Sequence, residues 1–178
     1  MKMLRPLILS MLVALAAPLA VNAATAAPPE IAKTITQTEP YGKGKLSRMM
    51  FVAYKASLWT DAKQWSYDAP FALSITYNMG FTRDELVDRT ISEMAEQSQV
   101  PTPAENYRVA LAKAFVDVKD GDRFTALMTA KKTVRFYHNG SLTHEIVDAV
   151  FAKRFFDIWL SAKTSEPSLR RGLLRLSE

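Results

Sequence analysis

The sequence predicts an α+β protein with a mostly antiparallel sheet covered by helices on one face. Three observations carry that reading. The stretch FALSITYNM places Phe71, Leu73, Ile75, Tyr77 and Met79 on one face of a strand and Ala72, Ser74, Thr76 and Asn78 on the other. Asn139-Gly140 joins two strand-like runs and is the strongest short hairpin signal. Helical patterns stand between and after the strands rather than alternating with them, which separates α+β from a doubly wound fold.

The first residues, MKMLRPLILSMLVALAAPLAVNAATAA, carry Lys2 and Arg5, an apolar run from Leu7 to Val21, and small residues in a cleavage pattern. That is the pattern of a secretory signal peptide spanning residues 1–26, cut after Ala23 or Ala26, with the remainder to 178 forming a single domain. The run is roughly 15 residues long and broken by Pro18, too short to span a bilayer, and no later stretch is long and apolar enough to do so. With no cysteine there is neither a disulfide framework nor a site for an acyl anchor, so a periplasmic protein without stable membrane insertion is expected. Loss of Lys2 and Arg5 lowers the basic count from 23 to 21 against 18 acids, a net charge of about +3, too mild for a nucleic-acid partner.

Along the chain, residues 24 to 30 read as a flexible lead-in and Ile31 to Thr38 as a first strand. Tyr41-Gly-Lys-Gly-Lys reads as a glycine turn, and Ser47 to Trp59 as one long strand. After the FALSITYNM strand, Thr82-Arg-Asp-Glu85 forms a capping box ahead of a helix with Leu86, Val87, Ile91, Met94 and Ala95 in its stripe. A second box at Thr102-Pro-Ala-Glu105 opens a helix ending near Val116. Arg123 to Ala130, Thr133 to His138 and Leu142 to Val147 read as strands. Ala149 to Leu160 then returns to helical spacing, with Phe151, Phe155, Ile158 and Trp159 on one side. A last helix starts near Ser165-Glu-Pro167, with Leu169, Leu173 and Leu174 facing inward.

Few residues point to chemistry. Strand parity across Asn139-Gly140 sets His138 opposite Ser141 and His144 opposite Arg135, which sends the rings to opposite faces and argues against a shared metal. There is no cysteine nucleophile, G-x-S-x-G elbow, phosphate loop or dinucleotide fingerprint, and no cofactor is expected. Asp84, Glu85, Asp88 and Glu93 share the 82 to 99 helix at a spacing that fits its cap and a solvated outer face. Tyr54 and Tyr77 lie mid-strand on the apolar parity, where each phenol is either a core tyrosine with a buried partner or a contact for a polar ligand group.

Several strings carry a resemblance: GKGKLSRMMFVAYKASLW (42–59), FALSITYNMGFTRDELVDRTISEM (71–94), FVDVKDGDRFTAL (115–127), VRFYHNGSL (134–142) and FAKRFFDIWLSAKTSEPSLRRGLL (151–174). Together they span essentially the whole mature chain and resemble the chalcone isomerase-like family, specifically its bacterial exported branch. The resemblance implies an open-faced β-sandwich, a large curved antiparallel sheet with helices on one side and a ligand cleft between the layers. The family holds plant isomerases that close a flavanone ring and non-catalytic relatives that resemble fatty-acid carriers.

The catalytic pattern of the plant enzymes carries over only in part. Their strand threonine, which follows a phenylalanine, is matched here by Val52 after Phe51. Their helix tyrosine and asparagine are matched by Arg83 and Thr90, while Ser165, which also looks like an N-cap, matches the serine or threonine before the final helix. Arg48 matches the catalytic arginine across a gap. A valine cannot hold the water that a threonine holds, so flavonoid cyclisation is not expected.

Three functions follow as expectations. The first is a non-catalytic periplasmic binding protein for a hydrophobic small molecule, a fatty acid or related lipid, held between sheet and helices with Arg48, Tyr54, Tyr77 and Arg83 at the polar end. The second is an isomerase or intramolecular lyase for a phenolic or enone substrate, using Arg48 or Arg83 to stabilise an oxyanion, with Ser165 as a further candidate. The third is an envelope protein-interaction module without a small ligand, its protein partner unknown.

Overall fold

A computed structural model describes residues 27–97 and 104–177. The expected signal peptide, residues 1–26, lies outside them, as do Thr102 and Pro103 of the second capping box. Six antiparallel strands form one sheet in chain order: β1 (Gly42–Arg48), β2 (Phe51–Trp59), β3 (Phe71–Tyr77), β4 (Arg123–Met128), β5 (Val134–His138) and β6 (Ser141–Ile146). Between β3 and β4 the chain makes α1 (Arg83–Gln97), a 3-10 turn at Ala104–Tyr107 and α2 (Arg108–Ala114). After β6 it makes α3 (Ala149–Leu160) and α4 (Pro167–Leu174). The helices pack onto the sheet face that carries Leu73, Ile75, Phe124, Ala126 and Phe136, giving the open-faced layout expected.

Local signals placed several elements correctly. The Thr82 hydroxyl accepts from the Glu85 amide, and the Glu85 carboxylate accepts from the Thr82 amide at 2.7 Å, so two backbone donors at the start of α1 are used. Asn139 and Gly140 both take positive φ, 48° and 87°, as a tight hairpin requires. Asp148 caps α3 by accepting from the amides of Val150 and Phe151. That helix buries Phe151, Phe155, Phe156, Ile158 and Leu160, each contributing roughly 1.5–3 kcal/mol. Phe155 meets Phe136 edge to face, ring centres 5.1 Å apart, which fixes α3 against β5.

The N-terminal third departs from expectation. Ile31 to Thr38 is no strand: a 3-10 turn at Pro29–Ile31 leads into an irregular segment in which Ile31 and Ile35 are spaced like a helical pair. Both bury against Trp59, Ala72 and Leu127 on the sheet face away from the helices. That second face is therefore not the open polar surface the alternation of β3 predicts; Ser74 lies buried there and accepts from Trp59 Nε1 at 2.9 Å. Nor is Glu30 part of a loose lead-in. Its carboxylate pairs with Arg123 at 3.1 Å and accepts from the Thr125 hydroxyl at 2.7 Å.

Tyr41-Gly-Lys-Gly-Lys is not a turn but the start of β1, and Ser47 to Trp59 is not one strand but a hairpin turning at Met49 and Met50. The glycines serve close packing. A Cβ on Gly42 would lie 2.1 Å from the Leu173 carbonyl oxygen, and one on Gly172 would lie 2.3 Å from the Lys43 carbonyl oxygen. Side chains here would hold α4 off β1. A register shift between Leu46 and Ser47 leaves Ala53 as an extra residue on β2, a bulge that lets the chain neighbours Ala53 and Tyr54 both border the space beneath α3.

A second shift, between Phe136 and Tyr137, sets His144 opposite Phe136 rather than Arg135. The parity argument that parted the two histidines therefore does not hold. His138 faces Asp122 at 3.3 Å, and Asp122 is held below the usual carboxylate range first by the hydrogen bond from Asn139 and also by the Lys119 amide. Among the described residues no group of three or more His, Cys, Asp or Glu side chains could hold a metal ion.

Candidate functional site

A cavity of about 630 Å³ lies between the sheet and the helices α1 and α3. Its wall is apolar, made by Leu73, Ile75, Phe115, Phe124, Ala126 and Phe155. Its polar groups gather toward the β1–β2 hairpin, where Arg48, Tyr54 and Tyr77 meet Thr90 and Glu93 of α1 and Ser165 and Glu166 of the α3–α4 joint.

Tyr54 and Tyr77 are direct cross-strand partners, their rings 6.1 Å apart and steeply inclined. The indole Nε1 of Trp159 donates to the Tyr54 hydroxyl oxygen at 3.0 Å. Indole can only donate, so Tyr54 keeps its own hydrogen for another acceptor. Burial pushes the Tyr54 phenol up to about 12, more than the Trp159 hydrogen bond and the Arg48 charge lower it. Burial, with Tyr54 alongside, raises Tyr77 as well. Both phenols stay protonated at neutral pH and so keep a hydrogen to donate.

Arg48, at the end of β1, forms an ion pair with Glu166 just before α4, and that hydrogen bond raises its pKa. Arg48, Tyr54, Tyr77 and Ser165 all line this cavity. Arg83 does not join them. It occupies the first turn of α1, exposed, its Nε on Asp84 at 2.9 Å and its amide on Asp117 at 2.7 Å. The capping box that starts the helix leaves this position pointing to solvent.

Glu93 was the residue sequence reasoning misplaced. Its neighbours Asp84, Glu85 and Asp88 are exposed, but Glu93 is only 4% exposed and borders the cavity. It pairs with Arg89 one turn earlier, and Ser165 Oγ donates to both of its carboxylate oxygens at 3.0 Å. A carboxylate so buried needs that compensation. The signal was present: Leu86, Thr90 and Glu93 stand at i, i+4 and i+7, and all three line the cavity. Ser165 is correspondingly not the N-cap of α4. Glu166 occupies that position without a side-chain cap bond, while Thr164 accepts from the Glu166 amide. Trp159 and Glu166 were also unforeseen, since each takes its role from a distant partner.

The fold and its buried polar-ended cavity define a member of a known structural class. The chain matches the chalcone isomerase-like family over residues 39–175 and belongs to it. Among solved structures it resembles a fatty-acid binding protein of Arabidopsis thaliana, with a TM-score of 0.58 at 7% identity over 76% of this chain and 86% of that one; at that identity the likeness concerns the fold. No match is found among curated proteins.

Proposed function

We propose that this protein binds a hydrophobic small molecule of the fatty-acid class, without catalysis, in the cavity between sheet and helices. The observation that carries the reading is a 630 Å³ apolar space with phenol and guanidinium donors gathered toward one end, within the volume range of ligand sites. Each buried methylene of an acyl chain would contribute about 0.8 kcal/mol. The head group would accept from Tyr54 and take Arg48 from Glu166, exchanging one charge-assisted hydrogen bond for another. The plant structure that shares the fold is by its name a fatty-acid binding protein, which supports the same class of ligand. Residues 1–26 have the pattern of an export signal, so the proposed place of action is the periplasm.

Titration with a fluorescent long-chain fatty acid tests the proposal. Saturable binding at one site, weakened by Arg48→Ala, is expected; absence of saturable binding to the folded protein would contradict it.

A further inference from the structure

The β1–β2 hairpin ends in three apolar residues that nothing covers: Met49 is 99% exposed, Met50 91% and Phe51 71%. They break the local rules of a turn. Met49 sits in the left-handed region at φ 54°, a position that favours Gly, Asn or Asp. Exposed turns ordinarily carry polar residues. A contiguous exposed apolar tip marks an interaction site rather than a folding requirement, and unbranched methionine adapts to irregular surroundings.

Two further observations identify the occupant. On the outer side of the same hairpin, Lys43, Lys45 and Lys55 are exposed, and Lys45 stands directly opposite Lys55. Like charges so placed destabilise a strand pair, and among the described residues none of the three lysines is in an ion pair. Lys45 lies four residues from the tip, about 13 Å along a strand. The acidic groups nearby turn the other way: Glu166 pairs with Arg48, and Glu85 and Glu93 border the cavity. Secondly, Met49 and Phe51, with Met79 across from them, line the cavity itself, so the exposed tip borders its mouth.

We propose that this hairpin docks the protein onto an anionic lipid surface. The Met49–Phe51 tip seats among the acyl chains, the lysines face the head groups, and an apolar ligand passes between bilayer and cavity without crossing water. Among the described residues no helix is long and apolar enough to cross a membrane, so the attachment is peripheral. The passage of ligand rests on the binding function proposed above, but the docking does not.

Co-sedimentation of the purified protein with vesicles of phosphatidylethanolamine and phosphatidylglycerol in equal parts, without added fatty acid, tests the docking. Met50 does not line the cavity and Lys45 and Lys55 face solvent, so Met50→Ser and Lys45→Ser/Lys55→Ser should keep the fold, which circular dichroism checks. Partitioning should weaken at least about tenfold for Met50→Ser and roughly fivefold for each lysine removed, the lysine effect shrinking as salt is raised. Transfer of a fluorescent fatty acid to these vesicles should slow in Met50→Ser while affinity for it is unchanged. No vesicle binding, binding indifferent to both sets of variants, or a tip-dependent dimer in sedimentation velocity would overturn the proposal. Vesicle binding without fatty-acid affinity would instead retire the ligand and leave the docking standing.

Discussion

Ser165 Oγ reaches both carboxylate oxygens of Glu93, each at 3.0 Å, and so ties the loop before α4 to the last turns of α1 across the end of the cavity. The bond joins two parts of the helical layer at the place where the hairpin, the helix α1 and the α3–α4 joint converge. Removing the hydroxyl leaves a buried carboxylate with Arg89 alone, so Ser165→Ala should cost about 1–3 kcal/mol in urea denaturation. Glu93→Gln/Ser165→Ala should cost less than the two single changes added together, because the pair acts as a unit.

Tyr54 supplies a pH signature. Its folded-state pKa lies near 12 against 10.0 for an unburied phenol. A raised pKa means that its contribution is fully present below pH 10 and is lost as pH rises toward 12, because the unfolded chain releases the proton first. The loss should approach about 3 kcal/mol across that window, with Tyr77 acting in the same direction. Denaturation midpoints followed from pH 9 to 12 should fall less steeply in Tyr54→Phe.

The glycines at the α4–β1 contact predict a contrast. Gly42→Ala and Gly172→Ala put a methyl group into a backbone carbonyl and should each destabilise by more than about 2 kcal/mol. Gly121 has φ 86° and open space around its missing side chain, so Gly121→Ala should cost only the backbone strain, about 1 kcal/mol.

Arg83 provides a control for the site. It is solvent-exposed and away from the cavity, so Arg83→Ala should leave fatty-acid affinity unchanged and stability within about 0.5 kcal/mol. Arg48→Ala should weaken binding, read in the same titration.

What was legible in the chain was what local chemistry decides. The Thr82–Glu85 box and the Asn139-Gly140 turn each involve residues a few positions apart and formed as expected, as did the strand β3, although both of its faces are buried. What was hidden depends on distant partners. Gly42 and Gly44 look like a turn until Gly172 and Leu169 arrive from the other end of the chain to occupy the space. The hairpin at Met49 was invisible because its turn lacks the residues that announce one. Glu93 and Ser165 both had ordinary local explanations, a solvated helix face and a helix cap, and only the meeting of the α3–α4 joint with α1 made them partners. That Arg48, Tyr54 and Tyr77 would border one space was readable from strand position and family resemblance. Their hydrogen-bond partners were not, since Trp159 and Glu166 reach them from more than a hundred residues away.

If the space beneath α3 is a ligand cavity, a bound acyl chain lies against its apolar wall. Nuclear Overhauser contacts between a carbon-13-labelled long-chain fatty acid and the protein test it most directly. Contacts are expected from the chain methylenes to the Leu73 and Ile75 methyl groups and the Phe124 and Phe155 rings, with the carboxyl end near Tyr54. A fatty acid that perturbs only surface residues, or none at all, would contradict it.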